Sequence, residues 1–337
     1  MGSWYKEKTG SDDVVVSTRV RLARNLSGIP FPSRMTKEQK EDLKLRVKEA
    51  ISDSNTPFAK NLKYIDMKSI PVNEIYAMVE RHIISPEFAK DPDGRAIILS
   101  DDESISIMIG EEDHIRIQVI LGGFKLEEAY DIAESIDTLL YGKLHFAFDS
   151  NLGYLTECPT NLGTGLRASV MLHLPVIESK GEISTLSDTV GKIGFTVRGM
   201  YGEGSKSLAS LYQVSNQITL GISEKNAIDN LKIITSQLIE KERNAQKTLD
   251  SLKVEDMAYR AVGTLKYARI ITSEEAMKLL SRIKLGTNLG IIGGEINPIE
   301  LLIEAQPYML MRKNGEMEPY ERDISRAEFL RGAMDSF

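Results

Sequence analysis

The chain has 337 residues, 42% of them hydrophobic, enough for one large core or two ordinary ones. Its net charge of −7 excludes non-specific nucleic-acid binding by the chain as a whole. A single cysteine excludes an internal disulfide and a cysteine-based metal cluster. No apolar run is long enough to span a bilayer, and the first residues lack a signal-peptide core, so a cytoplasmic location is expected.

In chain order, residues 14–22 alternate around Ser17, Arg19 and Arg21. In an extended segment both arginines face one side and offer two forked cations to one partner. Taken alone, the segment reads as a solvated edge strand. Thr36 with Gln39 is a capping-box pattern ahead of the stripe Leu43, Val47, Ala50 and Ile51. A helix over 73–84 carries His82, and a lone histidine is more often structural than functional. Residues 96–99, 104–109 and 115–121 read as neighbouring strands. Glu112, His114, Arg116 and Gln118 share parity, so a strand that begins early puts Glu112 and Arg116 on one face. Residues 126–140 form an amphipathic helical pattern.

The stretch ECPTNLGTGLRASVMLH, 157–173, holds the sole cysteine, Cys158, a Pro-Thr-Asn turn and two glycines, Gly163 and Gly165. These residues predict a tight loop. Arg167, Ser169, Met171 and His173 then share one face of a following strand. By itself the stretch is a hairpin-type connection with a buried cysteine. Further strands are read at 145–148, 193–197 and 212–220. Ser223 caps a long helix through Ala227, Leu231, Ile234 and Leu238, whose charged end, 240–243, reads as a solvated face. From about residue 253 helix follows helix. Thr272 with Glu275 starts one that Gly286 is placed to end, Asn297-Pro298 starts another, and 319–333 is the last. Residues 273–292 could pass for a helix-turn-helix but are not notably basic. The fold class expected is α+β, an antiparallel sheet flanked by helices and followed by a small all-helical domain. The boundaries are an extension at 1–13, a catalytic unit at 14–250 and a helical unit at 251–337.

Four motifs occur in order: STRVR at 17–21, EEDHIR at 111–116, CPTNLGT followed by RAS within 158–169, and RGMYGE at 198–203. Together they resemble the signature of the guanidino kinases, the family of creatine and arginine kinases, over roughly 14–240. The variant is similar to the bacterial protein arginine kinases. The resemblance implies the guanidino-kinase catalytic fold and transfer of the ATP γ-phosphoryl group to a guanidine. It implies Glu112 as catalytic base, Glu203 as a second carboxylate on the substrate guanidinium, and Cys158 beside that group as an aligning residue rather than a covalent nucleophile. It implies Arg19, Arg21, Arg116, Arg167 and Arg198 as phosphate-binding residues, and His82 against the nucleotide. Magnesium is expected on the phosphates and water, with no dedicated protein ligand. Neither a GxxxxGK[ST] loop nor an HRD or DFG set is present, so P-loop and protein-kinase patterns are excluded.

The chemistry needs these residue types. The nucleophile is a resonance-stabilised cation, so one nitrogen must be oriented and its proton accepted, and carboxylates do both. Fixed arginines stabilise charge on the transferring phosphoryl group.

About sixteen residues precede STRVR. Creatine and arginine kinases carry there a helical domain of around a hundred residues that closes over a small substrate. An uncovered pocket is expected to admit arginine within a protein chain. Near Glu203, Tyr201 stands where those enzymes have an arginine, and GEGSKS at 202–207 departs from their Gly-Glu-His-Thr segment. At the tail, Arg322-Asp323-Ile324-Ser325-Arg326-Ala327 resembles the RDxxRA motif of protein arginine kinases. The resemblance implies a phosphoarginine site in which Arg322 and Arg326 grip the phosphate and Asp323 meets the guanidinium. Without it, the motif is a helix-surface ion-pair ladder. Partners implied are a heat-shock repressor among the protein substrates, a zinc-binding activator protein, the Clp chaperone–protease and a second copy in a homodimer, with no membrane and no direct nucleic acid. The role implied is stress response and marking for Clp-dependent degradation. The alternatives are a free-arginine kinase and an inactive phosphoarginine-binding adaptor.

Overall fold

The computed structural model describes residues 3–6, 13–52, 59–200, 207–293 and 296–334. The first half holds β1 (Val15–Arg24), α1 (Lys37–Ser52), β2 (Leu62–Asp66), α2 (Val72–Glu80), α3 (Pro86–Lys90), β3 (Ala96–Ser100), β4 (Ile105–Ile109), β5 (Ile115–Gly122), α4 (Leu126–Tyr141), β6 (Phe148–Asp149) and β7 (Gly153–Tyr154). The rest holds β8 (Leu166–His173), α5 (Pro175–Ser179), α6 (Ile183–Gly191), β9 (Phe195–Gly199), β10 (Leu211–Asn216), α7 (Glu224–Gln246), α8 (Ser251–Tyr267), α9 (Ser273–Asn288), α10 (Pro298–Glu304), α11 (Pro307–Asn314) and α12 (Pro319–Ala333).

Among the described residues, eight strands form one antiparallel sheet in the order β2-β3-β4-β5-β1-β8-β10-β9. Strand alternation gives the sheet two unlike faces. On one, Val20, Leu22, Ile117, Val119, Ala168 and Val170 pack with Leu43 and Val47 of α1, Ala133 and Ile136 of α4, and Leu231 and Leu238 of α7. Each such side chain taken from water stabilises by about 1.5–3 kcal/mol. Among the described residues, the other face is covered only at its margins. Ile97 and Met108 meet Ile75, Met78 and Phe88 beneath α2 and α3. Val16, Ile120, Met171 and Leu211 meet Ala258, Leu265, Leu280, Ile283 and Leu330 of the helical tail. The stretch left open lies between them.

The expected caps form. Thr36 and Gln39 exchange bonds of 2.9 and 3.3 Å, Ser223 accepts from the Asn226 N–H, and Thr272 accepts from the Glu275 N–H. The structure also corrects the reading. β1 is central, not an edge, because β5 and β8 pair with both of its sides. The helix expected over 73–84 stops at Glu80, where Arg81 caps it. Residues 145–148 do not form a strand, and only an isolated Leu26–Phe146 bridge and the start of β6 lie there. Gly286 sits inside α9 rather than ending it, and a Cβ there would lie 2.9 Å from the Ala258 methyl. Glu242 is fully buried rather than solvated, accepting from the Val176 and Ile177 N–H groups at 3.1 and 3.0 Å. Trp4 and Tyr5, inside the expected extension, are buried in the core shared with the helical tail.

His173 joins sheet to tail through a 2.9 Å bond to Ser281 of α9. Burial, with Lys284 nearby, holds its imidazole well below the usual histidine value, so the folded chain keeps it neutral. The unfolded chain binds a proton below about pH 6.5, so the stability is complete above that pH and is lost as pH falls. Urea unfolding should show a midpoint that drops as pH falls below 6.5, at about 1.4 kcal/mol per pH unit from this group. His82 and His114, also shifted down, add to the slope, and His173→Gln should remove one share of it.

Candidate active site

The open face of the sheet is a row of cations set by register. Arg21 of β1 stands opposite Arg167 of β8, and Ala23 opposite Arg116 of β5. Gln213 of β10 stands opposite Met171 of β8 and Arg198 of β9. Arg19 lies two positions along β1 from Arg21 and donates to Gln213 Oε1 at 2.6 Å. A cleft of about 330 Å³ is lined by Arg21, Arg116, Arg167, Arg198, Glu112 and Cys158, with Thr160, Asn161, Gln213 and Ser215. A roomier apolar cavity of about 500 Å³ between α5, α8 and α9 contains none of these groups, so size does not mark the site.

The arginines repel one another. Burial and then Arg116 pull Arg19 down to about 10. Burial, Arg19, Arg116 and Arg167 pull Arg21 lower, against Glu111. Burial and Arg198 lower Arg167, against Cys158 and Glu112. A guanidinium keeps its proton at neutral pH, so these shifts record first the cost of burying the cations and then their mutual repulsion, which a bound oligoanion would relieve. Arg21 Nε is buried without a hydrogen-bond partner. Such a donor set fits phosphates.

The acidic motif is a loop before β5, which begins at Ile115, so the strand does not start early. Glu112 nevertheless meets Arg116 Nη2 at 3.0 Å and stays 42% exposed at the cleft. Glu111, buried, pairs with Arg116 Nη1 and accepts from Ser85 Oγ, which fixes the arginine between two carboxylates. Asp113, also buried, accepts from Asn25 Nδ2 at 2.7 Å and from the Glu157 N–H at 2.9 Å. It ties the loop bearing Glu112 to the loop bearing Cys158. His114 Nδ1 accepts from the Leu26 N–H at 2.9 Å, so Nε2 carries the proton and donates to the Pro30 carbonyl.

The loop from Cys158 to Gly165 is held by close backbone contacts. Gly163 has φ +110°, and a Cβ there would overlap the Thr219 carbonyl. Tyr154 N–H donates to Gly163 O at 2.7 Å, and Thr164 N–H to Thr219 O at 2.9 Å. The Thr219 hydroxyl donates to Leu162 O at 2.7 Å. Cys158 is half-buried, 3.1 Å from Thr160 Oγ1 and facing the cleft, not in a core.

His82 sits just beyond α2 with φ +61°. Its Nε2 is buried without a partner, and burial, then Arg19, push it down to about 3. The structure thus gathers Glu112, Cys158, Arg21, Arg116, Arg167 and Arg198 in the cleft, with Arg19 and His82 adjoining. Glu203 lies outside the described residues. Arg322, Asp323 and Arg326 lie apart, on α12. Arg326 is 1% exposed and committed to Ala305 O, Ile271 O and Asp323, so it does not present itself to an outside phosphate beside Arg322. Gln213, Ser215, Glu111 and Asp113 were not singled out from the sequence. Parity within 212–220 could have found the first two, and the charge density of the acidic motif the others.

Comparisons with known proteins point to one family. Residues 42–245 match the family model of the ATP:guanido phosphotransferase C-terminal catalytic domain, and residues 251–337 that of the protein-arginine kinase McsB C-terminal domain. A protein-arginine kinase of Halothermothrix orenii is 45% identical over 98% of this chain and 96% of its own length. One of Bacillus subtilis is 41% identical over 98% and 93%. Among solved structures, a lombricine kinase superposes with a TM-score of 0.62 at 22% identity, covering 73% of this chain and 71% of that one. The duplicated taurocyamine kinase of Schistosoma mansoni gives 0.63 at 24%, covering 93% and 49%. At these identities the two structures speak for the fold alone.

Asp113→Ala removes the acceptor of the Glu157 N–H and one of the two acceptors of Asn25 Nδ2, which keeps Leu155 O, at a cost of about 1–3 kcal/mol. A lowered thermal midpoint is expected, together with loss of phosphoryl-transfer activity well beyond what the destabilisation explains. Calorimetry and initial rates below the midpoint separate the two effects.

Proposed function

The chain belongs to the ATP:guanido phosphotransferase family, in its protein-arginine kinase branch, and from that premise we propose that it transfers the γ-phosphoryl group of ATP to arginine side chains of proteins. The observation that carries the reading is the row of arginines facing Glu112 and Cys158 across one cleft. In this scheme Arg19, Arg21, Arg116, Arg167 and Arg198 hold the phosphates and spread the charge that builds on the transferring group. His82, neutral and with a free buried nitrogen, adjoins the nucleotide. Glu112 orients the substrate guanidinium and takes the proton from the nitrogen that bonds to phosphorus as the bond to the ADP oxygen breaks. Glu203 is the second carboxylate on that group, and Cys158 aligns it. Magnesium, carried by phosphates and water, supplies further charge neutralisation.

Regulation is assigned to α12, where Arg322 and Asp323 are part-exposed and would receive a phosphoarginine. With Arg326 holding Asp323 and two carbonyls, its part there is to set the helix face rather than to grip the phosphate. The wider role proposed is cytoplasmic, in stress response and marking of proteins for Clp-dependent degradation. A heat-shock repressor would be a substrate, a zinc-binding protein an activator, and a second copy a partner through the helical tail. Family membership supports this wider role. Among the described residues no helix is long and apolar enough to cross a membrane.

Incubation with ATP and magnesium, offering an unfolded arginine-rich protein and free arginine together, decides the substrate. Acid-labile phosphate on protein arginines, read by mass spectrometry, is expected; phosphate on free arginine alone would overturn the reading. Glu112→Ala should lower the rate by about 10²–10⁴-fold, as loss of a general base does, while Cys158→Ala lowers it less. Alanine at Arg322 should weaken phosphoarginine binding, measured by calorimetry, without changing the fold, while alanine at Asp323 should weaken it and also lower the thermal midpoint, because buried Arg326 loses its carboxylate.

A further inference from the structure

Four large aliphatic side chains stand exposed beside the cleft: Leu152 at 43%, Ile193 at 58%, Ile218 at 50% and Leu220 at 47%. Single exposed aliphatics are ordinary, but these stand on backbone segments that neighbour one another. The Ile218 side chain lies over Gly194, next to Ile193, and Gln217 N–H donates to Gly194 O at 2.9 Å. Leu220 Cα sits 2.8 Å from where a Gly163 Cβ would be. Gly163 O also accepts from Tyr154 N–H, and Gly163 packs on Gly153, next to Leu152. The four therefore sit on neighbouring backbone segments that pack around the loop whose Cys158, Thr160 and Asn161 line the cleft, and together they are called the rim. Thr219, 5% exposed, binds rim to loop through Leu162 O.

The fold does not require this rim. β10 ends at Asn216, and the core beneath it is complete without Ile218 or Leu220.

We propose that the rim is the docking surface for the polypeptide that carries the target arginine, and that it takes an unfolded segment with apolar side chains near that arginine. This rests on the reading of the chain as a protein-arginine kinase. An arginine reaching the cleft from an extended chain brings its neighbours along, spaced roughly 3.3 Å per residue, so those two to four positions away lie about 7–13 Å from it. The four rim side chains offer aliphatic surface and no charge or hydrogen bond, so they select burial of apolar neighbours rather than a fixed sequence. Folded proteins hide such neighbours and unfolded chains present them. The rim thus favours damaged or unfolded chains over native ones.

The test compares wild type with Ile218→Ser/Leu220→Ser and with Leu152→Ser/Ile193→Ser, on reduced carboxymethylated hen lysozyme and on N-acetyl-arginine amide. Leu252→Ser, at a still more exposed aliphatic on α8, is the control. For the unfolded protein, each double variant should raise KM about tenfold with kcat held, while rates on the amide and of the control stay within twofold of wild type. Unchanged KM for the unfolded protein overturns the proposal. So does an equal loss on both substrates, which would mean that the rim merely braces the Cys158 loop. A wild type that phosphorylates neither substrate removes the protein-arginine kinase reading itself, and this inference with it.

Discussion

Repulsion among guanidinium groups on one face of a sheet is the constraint the rest of the molecule answers. Strand alternation puts Arg19, Arg21, Arg116, Arg167 and Arg198 on the same side, and burial raises the cost of their mutual approach. The opposite face compensates with a continuous aliphatic core under α1, α4 and α7. Glu111 partly neutralises the row by locking Arg116. Glu112 eases the row further at Arg116, and an anion from outside would relieve what remains among the described residues, so the charges that strain the free protein suit a polyphosphate.

The helical tail is packed into this arrangement rather than appended to it. Trp4 donates to Arg81 O at 2.8 Å and lies beside His82, while Tyr5 donates to Glu304 of α10 at 2.9 Å. Glu80, pushed up to about 7 by burial, accepts from the first N–H groups of α11, and Arg312 of α11 reaches Glu74 of α2. The turn that carries His82 is thus braced by both ends of the chain. A contiguous packed route runs from α12 through α11 and α2 to the turn that carries His82.

Much of this was legible in the sequence, for identifiable reasons. Long periodic helices and alternating strands declare their own period, so α4, α9 and α12, and β4, β5 and β8, fall where the pattern puts them. Most of the arginines and the two loop motifs were legible because their spacing reproduces a family signature. Short elements were not, since α3 and α5 have five residues each and carry too little period to read. The central place of β1 was hidden because pairing partners over ninety residues away leave no local trace. The burial of Glu242 and Arg326 was hidden for the same reason: a charge on a helix looks solvated until the tertiary partner, a helix terminus or a loop carbonyl, is known.

The centrality of β1 also bears on how the protein comes into being. The ribosome makes the middle strand of the sheet first, and its two neighbours, β5 and β8, emerge only about a hundred and a hundred and fifty residues later. Until then the nascent chain holds a strand with one apolar face whose hydrogen-bonding edges both lie bare, a state prone to clumping and slow to resolve. The protein therefore passes through an unfolded stage, with its own arginines bare, before its cleft exists.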